Sequence, residues 1–329
     1  MPAQTVLPRW RGFNLPGMIF FRESAKACEQ DFAWIADWGF DFVRLPMSYH
    51  RWLKGEDWRE IDERKLADLD EVVALGPRHG IHVCLNFHCA PGYSCNHKTR
   101  KREPFDLWKD AEALEAFCFH WGLMAKRYKG TPSSELSFNL VNEPLGPGFD
   151  DMTLDEHEKV VRATVAHVRA IDPDRLIIAD GVAYARVPCP ELADLGIAQS
   201  CRGYRPAGIV HWTPEKGPPP VWPGAQDTDG SVWDRAKLEE HYEPWAALAR
   251  QGLGVHCGEG GSNNSAPHDV VLRWYRDVLE VLTSHNIGHA LWNLRGPFGI
   301  LDSKRADVAY EDWHGHELDR KLLELLQAF

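Results

Sequence analysis

Leu136-Ser137-Phe138-Asn139-Leu140-Val141-Asn142-Glu143-Pro144 is the stretch on which the fold turns. An apolar, strand-forming run ends in a polar pair, Asn142-Glu143, and Pro144 then stops it, because proline has no N–H to give a strand ladder. A carboxylate beside an amide at the C-terminal tip of a strand sits where an α/β barrel keeps its reactive groups. A second tip of the same kind lies at Gly254-Val255-His256-Cys257-Gly258-Glu259-Gly260-Gly261. Two acids on two strand ends are the pair that splitting a glycosidic bond requires.

Outward from these tips, short apolar runs alternate with helical patterns along the whole chain. Strands are predicted at 10–14, 42–46, 81–88, 136–144, 176–180, 208–212, 252–259 and 289–294. Helices are predicted at 25–38, 62–79, 108–129, 153–171, 233–251, 267–285 and 315–328, with a weaker one near 190–195. Apolar positions at helical spacing (Leu66, Leu69, Val72, Val73) mark one face, and Gly39 and Gly80 mark stops. Strand, crossover, strand demands parallel pairing. Eight such units close most simply into a (β/α)8 TIM barrel, which leaves no open edge. An open doubly wound sheet would carry a glycine-rich phosphate turn after its first strand, and Gly12-Phe13-Asn14-Leu15-Pro16-Gly17 is not one. No composition shift or linker divides the chain, so 1–329 reads as one catalytic domain with no separate binding module. The segments after strands are the long ones: 89–107, 213–232 and 295–314 each run about twenty residues, and loops of that length usually carry function.

Composition narrows the partners. A net charge of −11 without any basic block argues against nucleic acid and anionic membrane. No apolar run reaches the length of a bilayer span. The N-terminus lacks the basic and apolar regions of an export signal, so the chain reads as cytoplasmic as it stands, or secreted if a signal has been trimmed. The eight cysteines form no CxxC pair, which disfavours a structural zinc site, and Cys84 and Cys257 read as small buried apolar groups. The segment His88-Cys89 to Cys95-Asn96-His97 is open to three readings: a metal cluster, a small disulfide loop or free thiols near a cleft. The 16 histidines show no HExxH-like spacing, and neither metal nor organic cofactor is expected. Fourteen tryptophans are many, and flat amphipathic rings suit both a core and stacking on sugars.

Arg44, His88, Asn142, Glu143, His211, Glu259 and Trp292 all fall at the ends of predicted strands, where residues from several strands converge. Together with Phe42-Val43-Arg44-Leu45-Pro46, Leu85-Asn86-Phe87-His88, Trp292-Asn293-Leu294-Arg295-Gly296 and Phe298 to Ser303, they make the chain from about Arg11 to Leu326 resemble glycoside hydrolase family 5, the cellulase family. That resemblance implies a retaining double displacement on a β-linked oligo- or polysaccharide, with no cofactor. Glu143 would be the general acid/base and Glu259 the nucleophile. Arg44 would hold Glu259 ionised, Asn142 would bond the sugar 2-hydroxyl, and His88 and His211 would bond hydroxyls or orient Glu143. Trp292 would stack on the reacting sugar. Trp212, Tyr93, Trp108, Trp222 and Phe298 are candidates for neighbouring sugar subsites. The family usually has a tyrosine two residues after the strand-six histidine; His211-Trp212-Thr213 departs from this, since Thr213 is too short to replace a phenol. An endo-β-1,4-glucanase is the leading expectation. A β-mannanase or β-mannosidase, an exo-acting β-glycosidase on oligosaccharides, and a non-catalytic sugar-binding barrel are the alternatives.

Overall fold

Strand β1 (Arg11–Asn14) pairs on one side with β2 (Phe42–Ser48) and on the other with the last barrel strand, β8 (Gly288–Leu291), so the sheet closes on itself. The computed structural model describes residues 6–18 and 29–329. Between those seam strands run β3 (His82–Cys89), β4 (Leu136–Asn139), β5 (Leu176–Asp180), β6 (Ala198–Gly203) and β7 (Val255–Gly260), each parallel to its neighbours. The eight-stranded closed barrel is the expected fold.

The helices outside it are α1 (Glu29–Asp37), α2 (Glu63–His79), α3 (Ala111–Arg127), α4 (Leu154–Ile171), α5 (Arg235–Arg250), α6 (His268–Ser284) and α7 (Arg320–Gln327). The first residues of the helix expected at 25–38 lie outside the described residues. Local chemistry sets the ends. Asp62 accepts the Arg64 N–H at 3.1 Å at the start of α2, and Gly80 closes it in the left-handed region at φ 67°. Thr153 and Glu156 cap α4 reciprocally. The crossover from β5 to β6 holds no full helix, just a single turn at Val182–Ala185 and a 3₁₀ helix, Pro190–Leu195. The final helix starts later than expected because Glu311–Trp313 pairs with His316–Leu318 as a small hairpin.

The sixth strand is a correction. It was expected at 208–212, but the barrel uses Ala198–Gly203, and Ala207–Val210 is a single helical turn after Pro206. The true strand is short of β-branched residues, yet every residue in it is buried. Its polar groups are satisfied inside the protein: the Gln199 side chain bonds both N–H and C=O of Cys189, at 2.8 and 2.7 Å.

The barrel interior is filled in two levels. Trp10, Phe42, Cys84, Ile178, Ala198 and Ala290 form an apolar plug near the strand starts. His82 stacks on Trp10 with ring centres 3.8 Å apart, and burial lowers its pKa to about 4, so it enters this layer neutral. Above the plug lies a polar layer built on Arg44, Asn14, Asn139, Asp180 and Arg202, all buried. The seam between β1 and β2 requires Gly12, since a Cβ there would lie 1.7 Å from the Phe42 carbonyl oxygen.

Candidate active site

The opening stretch keeps its strand-like course beyond β4. The Leu140 N–H bonds the Ile178 carbonyl at 3.0 Å and the Asn142 N–H bonds the Phe87 carbonyl at 2.9 Å. At Glu143 the backbone turns into the left-handed region, φ 48°, an uncommon conformation for a residue with a side chain. Two bonds hold it there: its N–H donates to Asp180 Oδ2 at 2.9 Å, and its carbonyl accepts from the Tyr93 hydroxyl at 2.8 Å. Such strain is kept where neighbours over-determine the geometry, commonly at working sites.

Register shifts fall at two other site positions. Along β6 and β7, Cys201 pairs Cys257 and the next pair is Arg202 with Glu259, so Gly258 is the extra residue of a bulge. Along β2 and β3, Met47 pairs Phe87 and Ser48 pairs Cys89, which leaves His88 as the extra residue. A bulge re-aims the side chains around it, and these two lie at the rim of the barrel beside Glu259 and His88.

Arg44 ties four groups together. Its Nε donates to Asn139 Oδ1 at 3.0 Å, Nη1 to Asn14 Oδ1 at 3.0 Å and to Glu259 Oε1 at 2.5 Å, and Nη2 to Asn142 Oδ1 at 2.8 Å. Arg202, which the sequence reading passed over, does more. Its Nε bonds Glu143 Oε1 at 3.0 Å, and its Nη2 bonds Asn142 Oδ1 at 2.9 Å and Asp180 Oδ2. The same Nη2 lies 3.4 Å from Glu259 Oε1. One guanidinium therefore touches both glutamates.

Their environments separate the two acids. Burial and the neighbouring Glu259 charge push the Glu143 carboxyl up to about 7, against the lowering pull of Arg202. Burial would raise Glu259 as well, but Arg202, Arg44 and the Tyr204 hydroxyl outweigh it and hold that carboxyl below its ordinary value. The Tyr204 hydroxyl donates to Glu259 Oε2 at 3.0 Å. This corrects the departure read from His211-Trp212-Thr213. The phenol is present, two residues after Arg202, and the position that differs from the family pattern is Arg202, where a histidine was expected. The spacing Arg202-Gly203-Tyr204 stands in the sequence, but a sixth strand expected at 208–212, ten residues beyond its true start, conceals it.

A cleft of about 520 Å³ opens over this layer. His88, Glu143, Glu259, Trp292, His211 and Phe298 line it, joined by Arg202, Tyr204, Phe149, Tyr184, Arg186, Arg205 and Thr228, which the sequence did not single out. His88 stacks on Trp292 at 5.3 Å, burial keeps it neutral with a pKa of about 4, and its Nδ1 has no partner among the described residues. His211 reaches the cleft from the turn after β6 rather than from a strand end. Trp212 does not line the cleft, because its indole is spent on the Pro218 carbonyl at 3.0 Å. Tyr93 supports Glu143 from below, Trp108 packs edge-on against Tyr93, and Trp222 bonds Asp277 at 2.8 Å. Those three are structural, and Phe298 alone of the five flanking aromatics lines the cleft.

The 88–97 segment forms neither a disulfide nor a ligand cluster among the described residues. Cys89 and Cys95 are free thiols near Ser94 and Asn142. Among the described residues one His–Cys–Glu group, His157, Cys189 and Glu191, has donor atoms within 4.8 Å of one another, and none of the three lines the cleft. No helix among the described residues is long and apolar enough to cross a membrane.

Residues 3–296 match the family described as Cellulase (glycosyl hydrolase family 5). The chain belongs to glycosyl hydrolase family 5. It is a glycoside hydrolase, and the family works with retention at the anomeric carbon. A crystal structure described as a glycoside hydrolase shares 38% identity with this family 5 member, with a TM-score of 0.92 and coverage of 97% of this chain and 99% of that one. Cellodextrinase A of Ruminococcus flavefaciens is 26% identical over 84% of this chain and 83% of its own length. Endoglucanase C of Acetivibrio thermocellus is 25% identical over 91% and 95%.

Proposed function

We propose that this family 5 enzyme is a retaining β-glucan hydrolase of the endo-β-1,4-glucanase type, with Glu143 as acid/base and Glu259 as nucleophile. The observation that carries the assignment is the shared Arg202: both carboxylates contact one guanidinium, yet one is held near neutral pH and the other ionised. Two acids with pKa values pushed apart divide into a proton donor and an attacking group. In retaining enzymes the two carboxyls stand about 5 to 5.5 Å apart across one sugar. The names of the Acetivibrio and Ruminococcus relatives favour a β-glucan.

In the proposed cycle, a Glu259 oxygen attacks the anomeric carbon while protonated Glu143 gives its proton to the departing oxygen. The product is a glycosyl ester on Glu259. Ionised Glu143 then takes a proton from a water, whose oxygen displaces Glu259 and restores both groups. Arg44 and Tyr204 keep Glu259 charged and aimed. The Asn142 oxygen is occupied by two arginines, so its amide nitrogen, which donates weakly to Cys95 Sγ at 3.4 Å in the free enzyme, is the group left to bond the 2-hydroxyl. His88 offers its free Nδ1 to a hydroxyl, Trp292 supplies the stacking face, and His211 stands on the wall after β6.

The test is azide rescue. Glu259→Ala should lose more than the about 10²- to 10⁴-fold that a general acid contributes. Azide should restore release of the leaving group and give a glycosyl azide of inverted configuration, whereas Glu143→Ala with azide should give the retained one. Undiminished turnover by Glu259→Ala rejects the assignment. A second reading, short soluble cellodextrins as the main substrate, rests on the match to Cellodextrinase A. Viscosity loss of a soluble β-glucan against release of short products from cello-oligosaccharides separates the two.

A further inference from the structure

Three arginines line the cleft, and two of them are spent. Arg202 is neutralised by Asp180, Glu143 and Glu259, and Arg205 pairs with Asp227 at 2.5 Å. Arg186 has no carboxylate partner among the described residues. Its guanidinium instead lies over two rings that also line the cleft, 5.3 Å from the centre of Tyr184 and 5.7 Å from that of Phe149. In a chain of net charge −11, an uncompensated cation inside the substrate cleft stands against the average field.

The backbone spends energy to present it. Ala183, Tyr184 and Ala185 are all left-handed, at φ 55°, 61° and 55°. Non-glycine residues are strained there, and such strain persists where the surroundings enforce it. Here the Ala183 and Tyr184 N–H groups bond the Leu145 and Pro144 carbonyls at 2.8 and 3.1 Å, and the Trp245 indole holds the Arg186 carbonyl at 3.2 Å. The turn is thus pinned directly to the residue after Glu143. Phe149 packs edge-on against Tyr184 at 5.3 Å and remains 50% exposed, leaving an apolar ring at the cleft rim.

We propose that Arg186, with Tyr184 and Phe149, forms a subsite for an acidic sugar, a uronic acid unit, on the leaving-group side of the scissile bond. The inference rests on the proposed role of Glu143. The acid that protonates the departing oxygen stands beside the leaving group, and Phe149, Tyr184 and Arg186 rise from the loops after β4 and β5, next to it. Glu259, Trp292 and Phe298 belong to β7, β8 and the loop beyond. A sugar has an apolar face for the two rings, and a guanidinium recognises a carboxylate through paired N–H donors. A neutral glucan leaves the Arg186 charge unanswered; a uronate answers it.

The test reads binding, so that it does not depend on turnover. In the Glu259→Gln enzyme, glucosyl-β-1,4-glucuronate should bind about two- to fivefold more tightly than cellobiose at low salt, the range expected of a partly exposed ion pair. The advantage should vanish in Glu259→Gln/Arg186→Met, shrink in about 0.5 M salt, and survive in part in Glu259→Gln/Arg186→Lys, which keeps the charge. Equal binding of the two disaccharides, or an advantage that persists without Arg186, overturns the proposal. If Arg186 were only structural, both ligands would weaken together and their ratio would stay fixed, which also overturns it. Hydrolysis of methylumbelliferyl β-cellobioside by the unaltered enzyme tests the assigned function separately, so failure of one is told apart from failure of the other.

Discussion

Arg202 sets the working pH of both acids in the proposed reaction. Its charge lowers Glu143 and Glu259 alike, while burial raises both. With Glu143 raised to about 7, kcat/KM should fall on the alkaline side as pH passes about 7 and the acid loses its proton. On the acid side it should fall where Glu259 becomes protonated, below the ordinary carboxylate value. Arg202→His, which restores the residue usual at this position, replaces a permanent cation with a group that is neutral at pH 7 when buried. Both limbs should then move to higher pH, as a pH–rate profile on an aryl β-cellobioside will read; an unmoved alkaline limb would mean that Arg202 does not control the acid. Tyr204→Phe removes only the 3.0 Å bond to Glu259 Oε2. Hydrogen bonds to charged groups are worth about 1.5–3 kcal/mol, so kcat/KM should drop at least about tenfold. The acid limb should rise while the alkaline limb stays near Glu143's value.

The elements that hold these residues were unequally legible. Strands such as β2 and β5 are apolar runs between clear stops, and the Glu143 and Glu259 tips are legible at the ends of β4 and β7. Strand β6 was not legible: Ala198-Gln199-Ser200-Cys201-Arg202-Gly203 is small and polar, and its stability comes from buried tertiary bonds that no local pattern shows. The nearby run Gly208-Ile209-Val210 looks more strand-like but folds as one helical turn. Misplacing that one strand hid Arg202 and Tyr204 and made His211 seem a strand-end residue. The strained turn at 183–185 was equally silent, since no glycine marks it. The bulge in β7 can be tested at Gly258. A Cβ there would lie 2.6 Å from Ser200 Oγ and 3.2 Å from Arg202 Nη1, and Ser200 Oγ itself accepts from Arg202 at 3.0 Å. Gly258→Ala should therefore displace the Arg202 head group as well as strain the strand. An overpacked site of this kind costs about 1–3 kcal/mol, and kcat should fall more steeply than the thermal midpoint suggests. Ser200→Gly in the same chain removes the nearer obstacle and should recover part of both losses, with thermal melts and steady-state rates as the readouts.

At the scale of the whole molecule, the closed ladder and packed interior hold the barrel, with no covalent staple among the described residues. The seven cysteines among the described residues are all free, and five of them, Cys84, Cys89, Cys189, Cys201 and Cys257, are buried. Burial raises the thiol of Cys84 to about 11 and that of Cys189 to about 12, so almost no reactive thiolate exists there at neutral pH. Cys201 and Cys257 are register partners on adjacent strands, yet they too are free. A native disulfide typically contributes about 2–5 kcal/mol, and each kcal/mol shifts the midpoint of a domain of this general size by about 2–4 °C. Removing even one bridge with reductant would therefore lower the melting temperature by several degrees. With none among the described residues, the midpoint should be the same with and without dithiothreitol. A thiol reagent should leave the five buried groups untouched in the native protein and reach all eight cysteines of the sequence once the chain is unfolded. A melting temperature that falls in reductant would show that a covalent link, and not the closed ladder alone, holds part of the fold.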